Sequence, residues 1–158
     1  MSGECLHATA VAIGGDGVLL RGPSGSGKSD LALRLIDRGA KLVSDDAVMI
    51  DIGEGRPFVR PAPNIEGRIE VRGIGICPVE TVTAAPLRLV VDLVDAAERM
   101  PPNDMMTAIS GFDVPLVKIV PFEASAPIKV EIALRSVVDA ACWPVPLQNV
   151  AKSESSPS

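Results

Sequence analysis

Gly22-Pro23-Ser24-Gly25-Ser26-Gly27-Lys28-Ser29 is the stretch on which the reading of this chain turns: a glycine, four residues, then Gly-Lys-Ser, the spacing of a Walker A phosphate-binding loop. The pattern fixes only four positions, so its surroundings must decide. Val18-Leu19-Leu20 before it is a short apolar, β-prone run, and Asp30 to Arg38 after it reads as a helix stopped by Gly39. Strand, glycine loop and helix thus stand in the order that phosphate binding requires. The glycines let successive backbone N–H groups turn toward phosphate oxygens, the helix N-terminus adds its dipole, and Lys28 adds a full positive charge. Ser29 would offer its hydroxyl to Mg²⁺. Gly22, Pro23, Ser24, Gly25, Ser26, Gly27, Lys28 and Ser29 are therefore the candidate nucleotide-binding residues, with ATP the expected ligand. The bland alternative is a glycine-rich turn before an ordinary amphipathic helix.

The composition bounds the rest. A chain of 158 residues is long enough for one domain with a real core and short for two. With 47% hydrophobic and 22% charged residues it has the balance of a globular protein and not of a disordered one. No stretch approaches the ~20 apolar residues of a membrane span, and Met1-Ser2-Gly3-Glu4-Cys5 lacks the basic and apolar segments of a secretory signal. These features predict a cytoplasmic protein with no membrane partner. Cys5, Cys77 and Cys142 are odd in number and far apart, which predicts reduced thiols. The net charge is −5, Tyr is absent, and there are three Phe and one Trp, so neither a basic stripe nor a stacking platform for nucleic acid is visible. An acidic chain still binds a polyanionic nucleotide where it concentrates positive charge and backbone N–H groups locally.

Taken in order, Leu6 to Ile13 is a β-prone run, and Gly14 to Gly17 is a tight turn into the strand that feeds the loop. His7, the only histidine, lies at the far end of that hairpin. Alone it reads as structural more readily than catalytic, although histidine is a side chain suited to acid–base work. Lys41 to Ser44 reads as a short strand running into Asp45-Asp46. A carboxylate there can orient Mg²⁺ through water or accept the proton of an attacking hydroxyl; the alternative is an Asp pair turning the chain into the next strand, Val48 to Ile52. Gly53 to Gly55 is a turn, and Arg56 to Asn64, with three prolines, reads as irregular or edge-like. In Ile65 to Ile76, apolar residues alternate with charged ones, which puts Ile69 and Val71 on one side of a strand and Arg68, Glu70 and Arg72 on the other. On pattern alone the charged row is solvated. Leu87 to Val94 is predicted as a central strand, Ala96 to Ala108 as a loop or short helix, and Val114 to Pro121 as an edge strand. Ser125-Ala126-Pro127 opens a helix whose apolar face comprises Ile128, Ile132, Leu134, Val137 and Val138. Pro146 to Ser158 is polar, serine-rich and predicted to be disordered.

At this point the sequence resembles the catalytic domain of the bacterial HPr kinase/phosphorylase family, from about His7 to about Val138. Three pieces carry the resemblance: the loop Gly22 to Ser29, Leu42-Val43-Ser44-Asp45-Asp46 after Arg38-Gly39, and Ile69-Glu70-Val71-Arg72-Gly73-Ile74-Gly75-Ile76, which is similar to the family's signature strand. The resemblance implies an α/β fold, a phosphate-loop NTP-binding mixed β-sheet with flanking helices, similar to that of phosphoenolpyruvate carboxykinases. It implies a catalytic domain over residues 1–144 and a disordered tail over 145–158. It also assigns roles: His7 as active-site histidine, Asp46 with Asp45 beside it as the carboxylate that takes the serine proton, Ser29 and Glu70 as Mg²⁺ ligands, Arg72 as part of the signature, and Arg99 as a catalytic arginine.

The activity implied is ATP-dependent phosphorylation of a serine in an HPr-like phosphocarrier of the phosphotransferase system. Set against the family's pattern, the sequence predicts two departures. With His7 so near the start, the family's usual N-terminal domain is not expected, and with Trp143 so near the end, most of the family's further helices are not expected either. Both bear on the homo-oligomer that the family forms and leave the phosphate site untouched. Where the family has a proline-rich segment with arginines that serves the reverse, phosphorylase reaction, Val120 to Pro127 keeps prolines, lacks arginine and carries Glu123, which predicts weak or absent phosphorylase activity. Two competing readings of the loop are a small-molecule kinase, for which the Glu70–Arg72 strand is not expected, and a non-catalytic ATP-binding regulator, which would bind nucleotide without phosphoryl transfer.

Overall fold

A computed structural model of the chain describes residues 3–63, 67–100 and 105–139. Eleven strands and two helices follow in chain order: β1 Glu4–Leu6, β2 Thr9–Ile13, β3 Asp16–Arg21, α1 Lys28–Asp37, β4 Lys41–Ser44, β5 Val48–Gly53, β6 Arg56–Pro61, β7 Arg68–Val71, β8 Gly75–Pro78, β9 Ala85–Leu93, β10 Met106–Ile109, β11 Phe112–Ile119 and α2 Ala126–Val138. Nine strands form one mixed sheet in the order β1-β5-β6-β9-β3-β2-β4, with β11 joined to β9 and β10 to β11, while β7 and β8 form a separate hairpin. The expected mixed α/β sheet is thus present. Cys142, Trp143, the tail from Pro146, the Pro101-Pro102-Asn103 segment and the boundary drawn at residue 144 lie outside the described residues.

The apolar run Leu87 to Val94 becomes the centre of the sheet, as its composition predicts. β9 pairs with β3 in parallel along one side. On its other side it pairs with β6 at Ala85 and Pro86 and with β11 from Val90 to Leu93. An extra residue in β9, Arg88, stands opposite the Gly17/Val18 step of β3. This bulge re-aims the side chains: Leu87 and Leu89, two residues apart, belong to opposite faces. Leu89, Val91 and Leu93 join Val18, Leu20, Leu31 and Leu35 on the helix side. Leu87 and Val90 join Leu19, Val48, Ile50 and Val59 on the other side, where the sheet curls over itself. Ala8, Ala10 and Ala12 keep β2 thin enough for that second layer to close.

α1 and α2 lie on one face, tied by Arg38 donating to both carboxylate oxygens of Glu131 at 2.9 and 2.8 Å. Glu131 holds the Arg38 guanidinium above its ordinary pKa through that hydrogen bond first and through charge second. Gly39, at φ 112°, ends α1, with its N–H bonded to Ile36 O and that of Ala40 to Leu35 O. That pair of bonds is the Schellman stop, and it turns the chain into β4. Along the free side of β4, Leu42 N–H bonds Glu80 O and Val82 N–H bonds Leu42 O, both at 3.0 Å.

Three expectations are corrected. Arg56 to Pro61 is a paired strand inside the sheet, between β5 and β9. Its prolines are tolerated because β9 pairs only with Phe58 and Val59. Met106 to Ile109, read as loop or helix, is a strand that pairs with the first half of β11, while the second half of β11 pairs with β9, so each half has one strand partner among the described residues and β11 keeps its edge character. α2 buries Ala126, Val130 and Leu134, a four-residue step along one face, and leaves Ile128 and Val138 exposed.

Candidate active site

β3 ends at Arg21, which is fixed to Asp92 of the neighbouring strand by bonds of 2.7 and 3.1 Å. The chain then leaves the sheet as the glycine loop and re-enters regular structure at Lys28. Gly27 precedes α1 in the left-handed region, at φ 104°, and no side chain caps the helix. The first N–H groups of α1 therefore remain free of a side-chain partner, and they point where an anion would be held. A Cβ at Gly22 would press on Ser26 Oγ, so a side chain there would force Ser26 to move. Lys28 is almost fully buried, and its ammonium donates to Gly22 O at 2.8 Å and Pro23 O at 3.1 Å. The charge is thus held against the rim of its own loop.

The Asp45-Asp46 pair meets this loop from β4, and the two carboxylates have opposite surroundings. Asp45 is buried and accepts from Thr9 Oγ1 at 3.0 Å, Ser29 Oγ at 2.6 Å and the backbone N–H of Glu70 at 3.2 Å. It fastens together β2, α1 and β7. Asp46 turns outward at φ 70°, with its N–H on Thr9 Oγ1 at 3.1 Å, and its carboxylate stands 3.8 Å from His7 Nε2. Those two side chains are 57% and 68% exposed. The alternation in β7 holds as expected: Ile69 is buried, and Glu70 and Arg72 are exposed.

One pocket of about 500 Å³ collects these groups. Its wall runs from Ser24, Gly25, Gly27, Lys28 and Ser29 past Asp45 and Asp46 to Glu70, Val71 and Arg72, with Asp30, Leu33 and Phe122 at its other end. His7 adjoins it through Asp46. Gly22, Pro23 and Ser26 shape the loop behind it, and Ser26 Oγ is buried without a hydrogen-bond partner. Arg99 does not reach it. Arg99 lines a separate cavity of about 260 Å³ with Lys118 and Lys129. Lys129 is paired there with Glu123 at 2.7 Å.

Sequence reasoning missed three contributors. Thr9 fixes both aspartates, but its partner Asp45 is 36 residues away and nothing local marks it. Phe122 and Arg34 could have been suspected from the scarcity of aromatics and from an arginine in the last turn of the helix after the loop. As to an ion, the protein atoms facing the pocket beside the loop are a hydroxyl and carboxylate oxygens. Among the described residues no cluster of three or more His, Cys, Asp or Glu is arranged around a metal. Ser29 and Glu70, which both line the pocket, carry oxygen donors of the hard kind that Mg²⁺ takes.

Comparison with known proteins follows the same lines. Residues 2–154 match the family model of the HPr Serine kinase C-terminal domain. The HPr kinase/phosphorylase of Cupriavidus metallidurans is 36% identical over 146 residues, covering 84% of this chain but 45% of that protein. That of Clostridium beijerinckii is 47% identical over 77 residues, covering 49% of this chain and 26% of its own length. This chain thus spans about half the length of the curated relatives it matches. Among solved structures, the Hpr(Ser) kinase/phosphatase from Coxiella burnetii superposes with a TM-score of 0.75 at 28% identity, with 96% of each chain covered. Among the described residues no helix is long and apolar enough to cross a membrane.

Proposed function

This chain belongs to the HPr Serine kinase C-terminal domain family, and from that premise we propose that it transfers the γ-phosphoryl group of ATP to a serine hydroxyl of an HPr-like phosphocarrier. The observation that carries the reading is the convergence of three sequence-distant pieces on one pocket: the glycine loop with Lys28, the Asp45-Asp46 turn, and the Glu70–Arg72 strand. A glycine-rich turn without a nucleotide role gives no reason for that convergence.

Each residue has a distinct task in this reading. Lys28 and the loop N–H groups oppose the charge on the phosphates, and Arg72 faces the pocket as the clamp on the transferring group. Asp46, exposed and beside His7, takes the proton from the serine oxygen as that oxygen bonds to phosphorus. Asp45 already accepts three donors, so its task is to hold Ser29 and β7 in place. Ser29 and Glu70 are the residues that would hold Mg²⁺, which when bound would screen the phosphate charge. Arg99, in the separate cavity, has no assigned step. The reverse reaction should be slow relative to the forward one, because Lys129, the nearest basic side chain after Phe122, is neutralised by Glu123.

Incubating the purified chain with labelled ATP, Mg²⁺ and the host's HPr-like proteins tests the proposal, with phosphoserine on a carrier as the expected product. Lys28→Ala should remove nearly all transfer and weaken nucleotide binding, and, because it also removes the hydrogen bonds to Gly22 O and Pro23 O, should lower unliganded stability by about 1–3 kcal/mol. Transfer at the unmodified rate in that variant would exclude the loop as the nucleotide site.

A further inference from the structure

Phe122 is the residue of the pocket that phosphate chemistry does not explain. Its side chain is 69% exposed, yet it is not loose on the surface. Arg34, in the last turn of α1, donates to Glu123 O at 3.2 Å and to Pro121 O, the carbonyls of the residues on either side of Phe122. Asp30 in turn fixes Arg34 at 2.9 Å. The ring is thereby aimed over the start of α1, so close that a Cβ on Gly27 would lie 3.0 Å from Phe122 Cζ. Single exposed apolar side chains are ordinary, but one gripped at both neighbouring carbonyls and set against the phosphate loop has a fixed task.

The pocket itself indicates which. A volume of about 500 Å³ is in the range that holds a whole small molecule, not a phosphate group alone. Its apolar lining, Leu33 of α1, Val71 of β7 and Phe122, lies in the same pocket as the loop, and phosphates seated on the loop would leave that lining to a nucleoside. We infer that Phe122 stacks on the base of the bound nucleotide and that Arg34 is a positioning residue that holds the ring there. This rests on the reading of the loop as a nucleotide site. A protein partner is the less favoured occupant, because the ring is set against Gly27 and lines the pocket.

Calorimetric titration of MgATP and of magnesium tripolyphosphate into the unmodified chain, Phe122→Ala, Phe122→Trp and Arg34→Ala separates the possibilities. Base-on-aromatic stacking sets the expected size: Phe122→Ala should bind ATP roughly tenfold or more weakly while tripolyphosphate affinity stays as it was. Phe122→Trp should restore ATP binding, with indole emission that responds to ATP and not to tripolyphosphate. Arg34→Ala should lose affinity for ATP more than for tripolyphosphate. Unchanged ATP affinity in Phe122→Ala overturns the inference, and a raised KM for the carrier in that variant would move the ring to the partner's side. An equal loss for both ligands also overturns it, since the ring would then only prop the loop. If the unmodified chain bound neither ligand, the nucleotide reading would fall first and the stacking with it.

Discussion

Asp45 and Asp46 are adjacent and chemically identical, and the fold gives them different work. Asp45 sits where a hydroxyl from β2, a hydroxyl from α1 and an N–H from β7 converge. Asp45→Asn turns one accepting oxygen into a donor facing donors, and a buried group left unsatisfied costs about 1–3 kcal/mol. Denaturant unfolding should show that loss. Asp46→Asn, on an exposed side chain, should leave stability within about 0.5 kcal/mol and lower phosphoryl transfer by about 10²-fold or more. If Asp46→Asn instead lost nucleotide binding and transfer together, Asp46 would belong to the magnesium shell. The Asp pair was legible in the sequence as a unit, since a strand running into two carboxylates is a local pattern. Which of the two faces the solvent was not, because Thr9, on which both depend, lies in another strand with no signal of its own. The phosphate loop was legible almost residue by residue for the opposite reason: all of its determinants are contiguous.

At the scale of elements, the sequence was most readable where periodicity is strong. β3, α1, β4, β5 and β9 lie within a residue or two of their expected bounds, and the turn at Gly53 to Gly55 is where its composition put it. The alternating stretch drawn from Ile65 to Ile76 is instead a hairpin, β7 and β8, turning between Val71 and Gly75, with Ile65 outside the described residues. The misses have physical causes. β6 was obscured by prolines whose missing N–H matters little, since its second neighbour pairs with only two residues. β10 has no apolar alternation of its own and exists because β11 offers it a ladder. In α2 the apolar residues outnumber the places on the buried face, so composition could not choose among them. Val130 is fully buried and Ile128 is 42% exposed. Val130→Ala should therefore cost about 1–3 kcal/mol, and Ile128→Ala, although it removes more carbon, should cost about 0.5 kcal/mol or less. Thermal unfolding of the pair decides whether the face is assigned correctly; equal losses would reject it.

For the molecule as a whole, two apolar layers share a single sheet, and neighbouring residues of β3 serve both: Leu20 faces the helices, Leu19 the curled half. The two layers should therefore unfold together. Leu19→Ala and Leu20→Ala should each lower stability by about 2–5 kcal/mol while calorimetry still shows one transition; two separated transitions in either variant would reject shared cooperativity. This global order was beyond the sequence, because pairings such as β1 with β5 and β3 with β9 join segments with no local mark of kinship. A sheet that ends in an unpaired strand offers a template on which another copy can grow. The far strand, β1, is only three residues long and carries Glu4, while the segment around Thr81 lies along β4 and occupies two of its backbone groups. Val82→Pro deletes one of those bonds, and light scattering of the concentrated variant should rise above that of the unmodified chain. The strap beside β4 thus helps keep the chain from polymerising through its own sheet.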